Sequence, residues 1–501
     1  MYRTFSRTLL AVLLFFALFF AGELAFEWWR LGMPEEAAMS WAGVNNAKLV
    51  DLMSPLARAY NNVLAMLIAT IGLAIPLTAN MHTPKLIEMF IRDRLNQAVL
   101  FTMAFLAANT LFVASMIGPE FAPMWAVRFA VVGALVGWAM LVPYFFYVVR
   151  FLDPSNILQR LRRDVEGAID AVIAGRLEPN AAQTIVHERV HQIGTIVIKS
   201  LDRGDRGVAL EGIWIIKLLL DHHGARKARM PAAWFEVDRA DFIGLSDEAI
   251  RLVQEEKVFF ERKALQQLYL AHAHAVAKVP DAVSSVSDAT RVVALGAIAR
   301  GDDEDVRLCL RYFNNYLRES VRVKHVHSIY DVFYQYRLLA TELLEKHAGF
   351  ADEISGHMAY YADVARHAGL GFVPALAAFD LADVAAAAQR VGSAKADSIL
   401  ARTLGIAHEH GGKTEPLVLE AKVKLGGMLT KLGADAAVAK VARALASTRV
   451  EEVRRAEQAL LDTPRSFHEV TDRQEDFRWI RPEDREALTA FAASVGARAS
   501  G

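Results

Sequence analysis

His187-Glu188-Arg189-Val190-His191 sets two imidazoles one helical turn apart with a carboxylate beside the first. On a helix this spacing points both rings to one face, where they can bind zinc while the glutamate serves as general base. Glu211, 20 residues beyond His191, is the candidate third ligand. Three features weigh against such a site. The charged Arg189 occupies the centre of the motif. The apolar stripe of this helix is Ile185, Val186, Val190, Ile193, Ile196 and Val197. His187 and His191 fall more than about 90° from its centre, on the polar face, where the supporting groups that orient metal ligands are hard to supply. No strand is evident to hold an extended substrate. The expectation is therefore no bound metal and no cofactor, and a membrane-tethered zinc hydrolase is the remote alternative.

The other histidines fall in pairs: His222-His223, His272-x-His274, His325-x-His327 and His408-x-His410. Neighbours one or two apart on a helix point in different directions, so all four pairs read as solvated. The phosphate-binding loop, the nucleophile elbow and the dinucleotide-binding glycine fingerprint are all missing from the sequence. The single cysteine, Cys309, excludes an intramolecular disulfide and any multi-cysteine metal site.

A second polar constellation lies in an apolar setting. Arg58, Asn61, Asn62, Ala65, Ala69, Gly72, Pro76 and Asn80 share one arc of about 100° on a helix. Val63, Leu64, Leu67, Ile71 and Ile75 lie opposite. A small, polar face on a membrane helix is either a close-packing seam or the lining of a water-filled path.

The elements that carry these residues divide the chain in two. Residues 1–150 hold 18 charged side chains, whereas residues 151–501 hold 95. The overall mean hydropathy of +0.22 is thus an average over two unlike halves. Net charge is −1, so no basic nucleic-acid surface is expected. Apolar runs predict four spans, at about 8–29, 58–80, 97–117 and 126–149, within a membrane domain 1–150. The stretch after the first run is a poor cleavage site, so a signal anchor is favoured over a cleaved signal peptide. Arg3 and Arg7, then Lys85, Arg92 and Arg94, then Arg150, Arg160, Arg162 and Arg163 fall on one side of these spans. Glu27, Glu35, Glu36 and Glu120 fall on the other. The positive-inside rule places both termini in the cytoplasm. Gly133 and Gly137 mark a helix contact in the fourth span. Tyr144 and Tyr147 fit an interfacial aromatic belt.

The segment Thr83-Pro-Lys-Leu-Ile-Glu-Met-Phe-Ile-Arg-Asp-Arg-Leu-Asn-Gln-Ala-Val-Leu100 resembles a bacterial family of predicted membrane proteins of unknown function, in which an Arg-Asp-Arg-x-Asn-Gln core precedes an apolar span. Phe146-Tyr-Val-Val-Arg-Phe-Leu-Asp-Pro-Ser-Asn-Ile157 is similar to that family's exit segment. The resemblance covers about residues 5–165. It implies a bacterial inner-membrane protein with four spans, and it carries no catalytic residue. Arg92, Asp93, Arg94, Asn96 and Gln97 would sit at the inner boundary. There they form either a turn anchored on lipid headgroups or a charged vestibule ring; the turn is preferred.

After residue 150 no 20-residue apolar run occurs. Helical periodicity broken by Gly and Pro every 15–35 residues or so predicts helix pairs or a helical array, without a named repeat signature. Two subdomains are expected, 151–350 and an Ala-rich 351–501, with Phe467–Trp479 as a docking tail or a last turn. The fold class expected is all-α. The expected function is an oligomeric, channel-like or transport-type inner-membrane assembly with a cytosolic helical gating domain. The alternative is a non-conducting anchor whose helical domain binds a partner complex. The expected partners are the lipid bilayer, further copies of the chain and a protein partner, with no nucleic acid.

Overall fold

The computed structural model describes residues 2–31, 46–81, 86–117, 123–242, 244–410, 413–467 and 472–499, and is all-α. Strand pairing among the described residues is confined to a two-residue hairpin, Glu409–His410 with Lys413–Thr414, and an isolated antiparallel bridge between Ser466 and Glu475. The chain forms two compact units, 1–157 and 158–501.

The first unit contains α1 (Tyr2–Leu31), α2 (Asn46–Met81), α3 (Leu86–Arg92), α4 (Arg94–Met116) and α5 (Met124–Leu152). The apolar stretches read from the sequence lie in α1, α2, α4 and α5. The core of this unit is built from Tyr60 of α2, Val99, Met103, Leu106 and Ala107 of α4, and Ala134 and Tyr144 of α5. Gly133 and Gly137 let α5 close on its neighbours. A methyl at Gly133 would meet Leu106 at 2.7 Å, and one at Gly137 would land on the Tyr60 hydroxyl. Phe15, Phe16, Phe19 and Phe20 of α1 interleave with Phe101, Phe105 and Phe112 of α4, a geometry that adds to their area burial.

Helix α6 (Pro154–Ile173) contains the boundary between the units. The second unit continues with α7 (Pro179–Asp202), α8 (Arg206–Gly224), α9 (Asp247–Glu255), α10 (Phe259–Lys278) and α11 (Asp281–Arg300). Then come α12 (Asp303–Arg322), α13 (Val326–Leu343), α14 (Ala348–His367), α15 (Phe372–Arg390) and α16 (Ala396–Gly405). The chain ends with α17 (Pro416–Lys431), α18 (Asp435–Ala444), α19 (Val450–Asp462) and α20 (Arg485–Ala499).

These helices form a two-layer array. In one layer α8, α11, α13, α15, α17 and α19 pack side by side in that order; in the other α7, α10, α12, α14, α16 and α18 do the same. Helix α20 closes the array against α17 and α19. Each α–α hairpin needs a tight reversal. Between α11 and α12, Gly301 takes it at φ 74° and Asp302 caps α12 by accepting from the Asp305 amide.

Five described helices are long and apolar enough to cross a membrane: Val50–Pro76, Arg94–Met116, Met124–Leu152, Asp281–Arg300 and Phe372–Arg390. The last two lie after residue 150, where no uninterrupted 20-residue apolar run occurs: Asp288 and Arg291 interrupt the first, and Asp380 and Asp383 the second. They are α11 and α15, and 50% and 78% of their apolar windows are buried inside the array. A helix flanked within its own layer and covered by the other layer is apolar nearly all round.

Candidate functional site

The face of α2 singled out by spacing lies on the outside of its own bundle. Arg58, Asn62, Ala65, Ala69, Gly72 and Pro76 are exposed and Asn61 is half-buried, while Val63, Leu64, Leu67, Ile71 and Ile75 turn inward. Leu64, Leu67 and Ile71 pack on the core of the unit. A methyl at Gly72 would meet nothing within 4 Å. The Asn61 amide donates to the Ala57 carbonyl at 2.8 Å, and Arg58 donates to the Ser54 carbonyl at 3.3 Å. The side chain of Asn80 lies outside the described residues. The outward side of α2 thus carries these small and polar residues alongside the exposed Met66, Ile68 and Leu73, while its other apolar residues turn toward the bundle.

Two acids of α1 face the bundle, and sequence reading assigned them no role there. A Glu27 oxygen accepts from the amides of Trp125 at 2.6 Å and Ala126 at 3.2 Å, and so caps the first turn of α5. One oxygen of Glu23 accepts from the Asn109 amide of α4 at 3.2 Å. The i,i+4 spacing of Glu23 and Glu27, together with one Asn inside the α4 apolar run, was the available signal.

At the other end of α4, the Arg92-Asp-Arg-x-Asn-Gln97 segment forms a joint. The Asp93 carboxylate caps α4 through the Leu95 and Asn96 amides, both at 3.1 Å, and accepts from the Tyr147 hydroxyl at 2.5 Å. Buried Asn96 donates to the Phe90 carbonyl at 3.0 Å and accepts from Tyr144. Gln97 donates to the Ile91 carbonyl at 2.9 Å. Arg92 pairs with Glu88 at 2.7 Å, and both Arg92 and Arg94 are exposed. The polar members of the motif thus tie α3, α4 and α5 together and leave its arginines outside. Tyr144 is 3% exposed, so its hydroxyl serves this joint rather than an interfacial belt.

The His-Glu-x-x-His residues do not converge. His187 is half-buried, edge-on to Phe242 and Phe259 with ring centroids 6.1 and 5.6 Å away. This corrects its placement on a solvated face, because a short 3-10 segment, Arg239–Phe242, and α10 cover that side of α7. His191 is exposed. Arg189 pairs with Asp164 at 3.0 Å, and Glu211 accepts from Gln159 at 2.9 Å. Among the described residues no three His, Cys, Asp or Glu side chains are grouped to hold a metal.

The paired histidines are not uniformly solvated either. His223 is fully buried, with Nδ1 2.6 Å from Glu261 and Nε2 accepting from the Trp234 indole at 3.0 Å. Because Nε2 accepts, Nδ1 carries the proton donated to Glu261. Burial alone would raise the Glu261 carboxyl, but His223 and Lys227 hold it below its ordinary value. Lys227 bridges Asp302 and Asp305, each at 2.7 Å. His272 and His408 are buried as well. His325 caps α13 by accepting from the Ser328 amide.

The segment after α19 docks on its own array. Tyr330 stacks on Phe467 at 5.6 Å, Phe379 meets Phe477 at 5.0 Å, and Arg473 is buried against Asp380. It is followed by α20, so Trp479 does not end the fold.

Residues 3–200 match the model of a family described as predicted membrane protein (DUF2254), from α1 to nearly the end of α7. No curated protein and no solved structure matches the chain. With its several apolar helices, the chain is a multi-pass membrane protein, similar over residues 3–200 to that family of unknown function.

Proposed function

We propose that the protein is a homo-oligomeric assembly of the bacterial inner membrane in which α2 of each protomer faces a shared axis and lines a hydrated path across the bilayer. The helical unit gates or assembles that path from the cytoplasmic side. The observation that carries this reading is the outward turn of the Arg58–Pro76 face of α2. Asn62 meets no side-chain hydrogen-bond partner among the described residues, and polar groups at membrane depth are costly against lipid. A second copy of the chain, with water between copies, relieves that cost. Four spans enclose little interior of their own, so the path lies between protomers. The arginines around α3 and after α5 support cytoplasmic termini.

The two-layer array favours a second reading, a non-conducting anchor. Such arrays offer long surfaces for protein partners.

Mass measurement of the full chain in lipid nanodiscs, paired with ion flux into proteoliposomes, separates the two. Masses at multiples of 55.4 kDa with flux, both diminished in the Asn62→Leu, Gly72→Leu double variant, are expected. A monomer overturns the assembly. An oligomer without flux leaves the anchor.

A further inference from the structure

A polar cavity of about 440 Å³ opens in the helical unit where the C-terminal segment crosses α13, α15 and α17. That volume falls in the range of small-molecule sites, roughly 300–1,000 Å³. On one wall α17 and α20 approach closely at Gly427, where a methyl would meet the Leu488 backbone at 2.8 Å.

The charges around the cavity are unevenly matched. Asp383 is taken by Arg337 at 3.1 Å and Lys424 at 3.5 Å. Glu475 is taken by Arg465 at 2.8 Å, and Asp484 by Lys431. Asp476 accepts from the Arg478 amide at 2.8 Å. Arg473 is spent on Asp380 behind the wall. Every lining carboxylate is engaged, whereas Arg390 and Arg481, both exposed on the cavity rim, meet no carboxylate among the described residues. The buried Nε of Arg473, also on the wall, makes no hydrogen bond, and that of Arg337 lies 3.4 Å from the Asp380 carboxylate without making one. A buried donor left unmade costs about 1–3 kcal/mol. A cation entering here finds its acceptors occupied, while an anion finds the guanidinium forks of Arg390 and Arg481 without a carboxylate among the described residues.

We propose that this cavity binds a small ligand through a phosphate group of two or more negative charges. Guanidinium forks match phosphate oxygens in pairs, and the volume limits the ligand to small-molecule size. The phosphate can belong to a soluble metabolite or to a lipid headgroup.

Calorimetric titration of the full chain in detergent distinguishes these, with inorganic pyrophosphate as the soluble probe and short-chain phosphatidic acid as the lipid probe. Saturable binding of at least one probe, weakened tenfold or more in the Arg390→Gln, Arg481→Gln double variant at unchanged helix content, is expected. Tighter pyrophosphate binding assigns a soluble ligand, and tighter lipid binding assigns a headgroup. Absence of binding of both probes at millimolar concentration overturns the proposal. So does equal binding by the double variant, which would place the anion elsewhere on the chain.

Discussion

At Arg473 a guanidinium with 4% of its side chain exposed is held bidentate by Asp380 of α15, with oxygens at 2.5 and 2.7 Å. Its Cζ also lies 4.3 Å from the ring centroid of Tyr330 and 5.2 Å from that of Tyr334. Removing one partner strands the other charge in a buried position. Asp380→Ala should therefore lower stability by about 3–5 kcal/mol, and replacing both residues by apolar ones of similar volume should cost much less. Denaturant midpoints of the single and double variants check this. Nothing in the sequence couples two residues 93 positions apart, and Asp380 stands in an alanine-rich run that reads as filler. The same limit hid His272. An i,i+2 histidine pair carries no sign of which member is buried, yet burial drives the His272 imidazole down to about 4, with Ser320 at 3.1 Å and Tyr316, Glu319 and His325 around it. The unfolded chain takes up a proton near 6.5 that the folded chain refuses until about 4. The stability contribution is thus complete above pH 6.5 and is lost as pH falls toward 4, by about 3 kcal/mol. His272→Gln should flatten that part of the stability–pH curve; an unchanged slope would assign it to other groups.

Two glycines on facing sides of the membrane unit separate packing within a protomer from packing between protomers. Gly137 of α5 leaves room for Tyr60 of α2, whose hydroxyl donates to the Met103 sulfur at 3.0 Å. At Gly72 of α2 a methyl would meet nothing within 4 Å among the described residues. Gly137→Leu should force α2 from α5 and lower the thermal midpoint of the detergent-solubilised protomer, at a cost of about 1–3 kcal/mol. Gly72→Leu should leave that midpoint in place. Equal losses would mean that the outward face of α2 already packs inside one chain. The existence of these helices was legible because apolar runs of about 20 residues have few other meanings in sequence. The amphipathic arc of α2 was legible too, because a 100° step sorts residues by face. Which face turns inward was not, since both a polar seam and an apolar seam satisfy the same periodicity. The array of the second unit was visible as helices and breakers but not as layers. Helix pairs begin at Phe259, Asp303, Ala348, Ala396 and Asp435, at unequal intervals, and no residue signature recurs to give the period away.

Whether α11 and α15 enter the bilayer decides the architecture of the whole molecule, because both pass the length and hydropathy criteria of a span. Their burial inside the array argues for four spans: a helix that has already covered its apolar surface gains nothing from lipid. Both arrangements leave the C-terminus on the same side as the N-terminus, so a terminal reporter cannot tell them apart. The segment between the two helices can. If α11 and α15 stay in the array, Lys346, exposed between α13 and α14, shares a compartment with Arg176, exposed between α6 and α7. If both cross, Lys346 moves to the other side. The native chain lends itself to this test, since its one cysteine, Cys309, is buried and its thiol is pushed up well above the ordinary value by burial and nearby carboxylates, which suppresses the reactive thiolate. In the proposed orientation, with cytoplasmic termini in a bacterial inner membrane, Arg176→Cys and Lys346→Cys should both react with a membrane-impermeant maleimide in inverted vesicles and not in intact spheroplasts. Labelling of Lys346→Cys from the outer face alone would make α11 and α15 spans and overturn the array.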